Sequence, residues 1–223
     1  MDGVSKLQNL LSTEFPTLEY SVGDTPSCST EGISFEGCTE IRPGNYAFYD
    51  IEQSIVGSCT TKQIATCLAC PVVAKHFDRN QIVIYGGAVH LSKDNIIDDS
   101  IGKKIFGLPV SLLLSRKRKE IEVNNSSLSA STSKDDAEKL DGSGKGIVGW
   151  SDVWADSYVM KVSQEHGIIQ TTDEMMKKIQ IGDFIGILPV HSCLTADCMG
   201  EYLTLDGEAL DHFRSHNVSL SRT

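Results

Sequence analysis

The sequence predicts a mainly β protein, an antiparallel barrel or sandwich, with a short α/β segment in front of it. Three observations carry this. Over residues 1–57, apolar positions at helical spacing alternate with short strand-like runs. From Ser58 onward, β-prone runs recur between Gly, Asn and Asp punctuation. The stretch 115–146 breaks the pattern, with a basic run, an Asn/Ser-rich run and no aromatic residue.

Each element follows from its own residues. Leu7, Leu10, Leu11 and Phe15 fall on one helical face. Leu18–Val22 reads as a strand ending at Gly23, and Cys38–Ile41 as a second ending at Arg42-Pro43-Gly44. Asn45–Val56 then has helical apolar spacing, so strand-then-helix units with parallel strands are expected here. Beyond residue 58 the expected strands are Pro71–Ala74, Gln81–Tyr85, Ile105–Leu114, Ser157–Val162, Gly167–Thr171 and Asp183–Leu188. Short helices are expected near Thr172–Ile179 and after Leu194. Residues 115–146 read as a long flexible insertion, and Arg116-Lys117-Arg118-Lys119 as a solvated shoulder of that loop.

Composition excludes several classes. The 223 residues are 40% hydrophobic and 22% charged, enough apolar content for a packed core. Twenty Lys and Arg against 30 Asp and Glu give a net charge of −10, which argues against a nucleic-acid footprint. The N-terminus lacks a basic-then-apolar signal pattern, and runs such as Leu108–Leu114 fall far short of a bilayer span. Seven cysteines without a secretion signal point to reduced thiols and a cytoplasmic protein, where the sequons at Asn124, Asn125 and Asn217 stay unused.

Three segments could carry chemistry. Ser21–Ser27 follows a strand with a Gly, hydroxyl side chains and Pro26, which suits either a helix start that attracts an anion or an ordinary turn. Residues 1–57 hold nine acidic side chains and two basic ones, Lys6 and Arg42. Arg42 at a strand end is thus open to an anion, a ring nitrogen or an ion pair. If extended geometry continues past Leu188, alternation puts His191 and Cys193 on one face. That pair suits zinc with open positions, with Cys198 as a further candidate, or else a polar His beside a buried Cys. Cys67 and Cys70 have CxxC spacing in an apolar run and read as packing. Gly86-Gly87 marks a close backbone approach, and Glu165-His166-Gly167 a polar hairpin end.

Taken in order, the motifs resemble one family. Ser21-Val22-Gly23-Asp24-Thr25-Pro26, Glu40-Ile41-Arg42-Pro43-Gly44-Asn45-Tyr46-Ala47-Phe48-Tyr49-Asp50, Gly86-Gly87-Ala88-Val89-His90-Leu91-Ser92-Lys93-Asp94, Ser163-Gln164-Glu165-His166-Gly167 and His191-Ser192-Cys193 look like the D-serine dehydratase/D-threonine aldolase group. These are pyridoxal 5'-phosphate (PLP) enzymes of the alanine racemase-like fold type. The resemblance implies that residues 1–57 are the last βα units of an incomplete TIM-type, PLP-binding barrel. Residues 58–223 would then be the C-terminal β domain with a zinc site. It implies Gly23, Asp24, Thr25, Gly44, Asn45 and Tyr46 around the cofactor phosphate, Arg42 near the pyridine nitrogen, and His191 and Cys193 on zinc. His-x-Cys resembles the dehydratases more than the aldolases, which usually carry Asp second. The implied activity converts D-serine to pyruvate and ammonia, the cofactor serving as electron sink while zinc polarises the β-hydroxyl. The full enzyme would be a homodimer.

One departure limits this. The family's Schiff-base Lys lies on the first barrel strand, and nothing here corresponds to that strand. Lys6 is the only Lys before residue 62 and sits in an expected helix. A complete (β/α)8 barrel takes about 250 residues, more than the whole chain. The expectation is a C-terminal portion that is inactive or nearly so by itself and that pairs with a complementary N-terminal barrel half. The competing expectation is a non-catalytic zinc-binding or partner-binding β module.

Overall fold

Leu7, Leu10 and Leu11 recur at helical spacing, and the chain opens with α1 (Asp2–Leu11). The structure, a computed structural model, describes residues 2–30, 32–99, 102–114, 147–205 and 207–211. The expected insertion at 115–146, with its basic run and the sequons at Asn124 and Asn125, lies outside the described residues, as does Asn217. After α1, β1 (Ser21–Val22) pairs in parallel with β2 (Glu40–Ile41), with α2 (Thr25–Ser29) between them in sequence. The parallel pairing matches expectation, but each strand is only two residues long. The helix expected over Asn45–Val56 is confined to α3 (Ile51–Ile55). Asp50 is the reason: its side chain accepts from the Gln53 N–H and so caps the helix there.

Beyond residue 58, alternating burial builds a sheet. In β3 (Leu68–His76), Leu68, Cys70 and Val72 point inward, and in β4 (Gln81–Tyr85) Ile82 and Ile84 do. α4 (Ala88–Leu91) and the hairpin of β5 (Ile96–Asp98) and β6 (Lys103–Ile105) follow. Then come β7 (Gly107–Leu114), β8 (Ile147–Val153), β9 (Tyr158–Val162), β10 (His166–Gln170), α5 (Asp173–Lys178) and β11 (Phe184–Pro189). Seven strands form one sheet in the order β8-β7-β11-β3-β4-β10-β9. Every pairing in it is antiparallel. The sheet curls, because Phe106 beside β7 donates its N–H to the Val159 carbonyl of the far edge strand β9 (2.9 Å). α6 (Ser192–Met199) and the hairpin of β12 (Glu201–Leu203) and β13 (Ala209–Asp211) complete the described chain.

Two apolar clusters fill the fold. One gathers Cys70, Ile82, Ile84, Val159, Ile169, Met176, Ile185 and Ile187. The other joins Ile51 of α3 and Ile64 to Ile105, Val110, Leu188 and Val190. This second cluster presses α3 against the end of β11, and burying those side chains contributes about 1.5–3 kcal/mol each. No helix among the described residues is long and apolar enough to cross a membrane.

Candidate functional site

β11 stops at Pro189, and α6 begins at Ser192. The expected extended run through Cys193 is therefore corrected: His191 is extended backbone (φ −130°, ψ 101°) at the helix N-cap, and Cys193 lies in the first helical turn. The helix also starts earlier than the expected position after Leu194. His191 makes no capping bond with its side chain. The first turn of α6 is satisfied from outside, by the Asp50 carboxylate, which accepts from the Ser192 N–H (3.0 Å).

Asp50 is fully buried, and two helix N-termini converge on it. One oxygen accepts from the Gln53 N–H of α3 (2.9 Å), and the other from the Ser192 N–H of α6 and from the Asn45 side-chain amide. Amide donors and helix dipoles thus compensate a charge that burial penalises. Asn45 Oδ1 accepts from the Ser192 hydroxyl (2.7 Å), and the Asn45 N–H donates to buried Thr25 Oγ1 (2.8 Å). One continuous network therefore runs from Thr25 through Asn45 and Asp50 to the His191-Ser192-Cys193 turn. Asp50 and Ser192 lie within the Glu40–Asp50 and His191–Cys193 motifs, but the sequence gives no sign of their contact, because they are 142 residues apart along the chain.

The suspected phosphate residues divide into two groups. Thr25 and Asn45 are committed to this network. Asp24 caps α2, accepting from the Ser27 N–H (2.6 Å), and that bond holds its carboxyl below its ordinary pKa, so its side chain brings negative charge to the loop. Gly44 is different: a Cβ there would meet nothing within 4 Å. At Gly23 a Cβ would lie 3.3 Å from the Arg42 guanidinium, which puts a cation beside the turn. Arg42 Nε donates to Ser21 Oγ (2.6 Å) and faces Glu40 at 3.9 Å on the surface. Tyr46 is exposed, edge-on to Tyr49 with ring centroids 5.8 Å apart. Open space at Gly44 and the Arg42 cation fit an anion; the Asp24 carboxylate does not.

The metal candidates meet a different partner. His191 Nδ1 lies 2.9 Å from Asp94 Oδ2, the two side chains being partly exposed. Burial pushes the Cys193 thiol upward, and the Asp50 charge adds to the effect. No group of three or more His, Cys, Asp or Glu placed to hold a metal occurs among the described residues. An imidazole and a thiol are donors zinc accepts, and two protein ligands suit an open site better than a closed structural one. Cys198 is exposed further along α6. Cys67 and Cys70 lie on or beside β3 as packing residues, as expected, and burial pushes the Cys67 thiol up to about 12.

The glycine-pair motif docks against the Ser163–Gly167 segment. Ala88 and Val89 donate their N–H groups to the carbonyls of Ser163 (2.8 Å) and Gln164 (3.0 Å). A Cβ at Gly87 would lie 2.5 Å from backbone atoms of Glu165 and His166, the close approach the glycine pair predicts. Tyr85 packs edge-on against both His90 and His166. An apolar cavity of about 530 Å³ opens between Cys67, Leu112, Trp150, Met199 and Tyr202.

Comparison with known proteins places the chain in a family. A D-serine dehydratase from Dictyostelium discoideum is 27% identical over 215 residues, covering 93% of this chain and 45% of the relative. A D-threo-3-hydroxyaspartate dehydratase from Delftia sp. (strain HT23) is 22% identical, covering 96% and 48%. Among solved structures, an Ala racemase-like protein from Idiomarina loihiensis matches with TM-score 0.64 at 24% identity, over 91% of this chain and 45% of that one, which shows the shared fold. The chain thus spans about half the length of the curated relatives it matches. Residues 65–205, which contain Asp94, His191 and Cys193, match the family described as "Putative serine dehydratase domain". The chain belongs to that serine dehydratase domain family.

Proposed function

We propose that this chain supplies part of the cofactor phosphate site and the metal site of a PLP- and zinc-dependent D-amino acid lyase of the D-serine dehydratase type. The observation that carries the reading is the network from Thr25 to Ser192, which ties the Gly23–Asn45 loops to the His191–Cys193 turn within one buried set of hydrogen bonds. In this reading residues 1–57 are the last βα units of a PLP-binding barrel and residues 58–223 a β domain that closes the site. The relatives' names, D-serine dehydratase and D-threo-3-hydroxyaspartate dehydratase, support a β-hydroxylated D-amino acid as substrate, D-serine being the simplest.

When bound, PLP supplies an electron sink for Cα–H cleavage, and zinc supplies Lewis acidity at the β-hydroxyl. The chain's own residues bind and orient. Gly23 and Gly44 would border the phosphate, and Arg42, whose guanidinium lies beside Gly23, would face it there instead of the pyridine nitrogen that the resemblance implies; Thr25 and Asn45 hold the two loops at a fixed separation. Asp24 and Tyr46 line the same turn, Asp24 through its backbone. His191 and Cys193 hold the metal, and Asp50 fixes the turn that carries them.

In this reading the cofactor-linking Lys belongs to the barrel half outside these residues, and turnover by residues 1–223 alone is expected to be negligible. β1 and β2 form a two-stranded parallel pair, which suits extension by strands of a complementary barrel half. The test mixes the chain with a barrel half that carries the Lys, PLP and zinc. Cofactor absorbance and pyruvate release from D-serine are expected. Absence of both, with the two halves shown to associate, would leave the non-catalytic zinc-binding or partner-binding module as the surviving reading. Gly44→Ala probes the phosphate site, because open space there predicts unchanged folding. Its PLP affinity in the mixture is expected to fall at least severalfold, and unchanged affinity would remove Gly44 from the site.

A further inference from the structure

We propose that Asp94 is a positioning residue for the metal site: its carboxylate fixes the His191 ring through Nδ1, so that Nε2 is the nitrogen presented to the metal. This rests on the reading of His191 and Cys193 as ligands given above. An ionised carboxylate only accepts hydrogen bonds. With Asp94 Oδ2 2.9 Å from His191 Nδ1, a neutral ring carries its proton on Nδ1 and keeps its lone pair on Nε2.

The surroundings hold the carboxylate in place. Asp94 Oδ1 accepts from the Asn95 N–H (3.1 Å), so both oxygens are engaged. The Asp94 N–H donates to Ser92 Oγ (3.1 Å). Ser92 itself has φ +69° and ψ −174°, a backbone conformation that side chains other than hydrogen strongly disfavour. That conformation ends α4 abruptly and turns the following residues toward α6. The Thr195 hydroxyl of α6 lies within reach of two carbonyls, His191 (3.2 Å) and Leu91 (3.4 Å), and shares its one proton between them, which brings the end of α4 against α6. A carboxylate held on the Nδ1 of a candidate ligand is the arrangement by which metal-binding histidines are oriented. Asp94 lies 97 residues from His191, and its contact with Nδ1 marks it as a support for the ring instead of a third ligand.

The test uses the full chain and two readouts. Nitrogen-15 NMR of the metal-free protein reads the tautomer of the neutral His191 ring. Competition with a chromophoric chelator reads zinc affinity, and cobalt(II) absorption reads the ligand set. Wild type is expected to show the Nδ1–H tautomer. Asp94→Asn, whose amide oxygen still accepts, is expected to keep it, and Asp94→Ala to lose it. Zinc affinity is expected to fall about 10- to 100-fold in Asp94→Ala and less in Asp94→Asn. The thiolate-to-cobalt band from Cys193 is expected to persist in both.

An unchanged tautomer and affinity in Asp94→Ala, with zinc binding still dependent on His191 and Cys193, overturns the role of Asp94 alone. A change in cobalt coordination number in both Asp94 variants makes Asp94 a direct ligand and also overturns it. Zinc binding that survives His191→Ala and Cys193→Ala overturns the metal-site reading beneath it.

Discussion

Asp50 is a charged side chain with no exposed surface, and its position decides how the candidate site is held. It caps α3, satisfies the first turn of α6 and accepts from Asn45, so removing it orphans several buried donors at once. Asp50→Ala is expected to lower the unfolding free energy by about 2–5 kcal/mol, read as a lower urea midpoint. Asn45→Ala and Ser192→Ala are each expected to cost about 1–3 kcal/mol. Because both share the Asn45–Ser192 bond, the double variant is expected to cost less than the sum. Full additivity in that cycle would show that the network is not one unit. The sequence offered Asn45 and Thr25 as candidates but not their link to Ser192, since a hydrogen bond across 147 residues leaves no local spacing to detect.

At the scale of elements, local signals worked where the structure is local. Gln81–Tyr85 carries the β-branched run Ile82-Val83-Ile84 and is a strand with those bounds, and the Thr172–Ile179 helix begins where Thr172 accepts from the Met175 N–H. Local signals failed at junctions. Nothing in Pro189-Val190-His191-Ser192 announces that extended backbone gives way to a helix there, because the first turn is satisfied by a distant carboxylate. β8, β12, β13 and the β5–β6 hairpin were also not expected. β5, β6, β12 and β13 span only three residues each, too short for alternation to register. The glycine pair was legible, because a close approach needs a missing Cβ. Gly87→Ala is expected to destabilise by about 1–3 kcal/mol, since the clash is with backbone that cannot rotate away. A thermal midpoint equal to wild type would mean that the α4 turn does not dock against Ser163–Gly167 in solution.

For the whole molecule, buried thiols tie stability to alkaline pH. Burial raises Cys67 from an ordinary value of 9.0 to about 12 and pushes Cys70, fully buried in the sheet, in the same direction. Above pH 9 the unfolded chain releases these protons while the folded chain keeps them. Stability is therefore full below pH 9 and falls as pH rises toward 12, by about 1.4 kcal/mol per pH unit for each thiol. Urea midpoints between pH 8 and pH 10.5 are expected to fall less steeply in Cys67→Ala than in wild type; equal slopes would contradict the burial of that thiol. The motif order, the antiparallel sheet and the parallel β1–β2 pair were all legible in the sequence. The Asp94–His191 contact and the shared carboxylate at Asp50 were not, because tertiary structure alone brings those residues together.

In the proposed reading His191 and Cys193, held by this scaffold, form an open zinc site. Zinc content of the purified full chain after zinc loading and dialysis tests it most directly. About one zinc per wild-type chain, lost in both His191→Ala and Cys193→Ala while their circular dichroism stays native, is the expected result. Zinc content that does not differ between wild type and the two variants would mean that His191 and Cys193 are not the ligands.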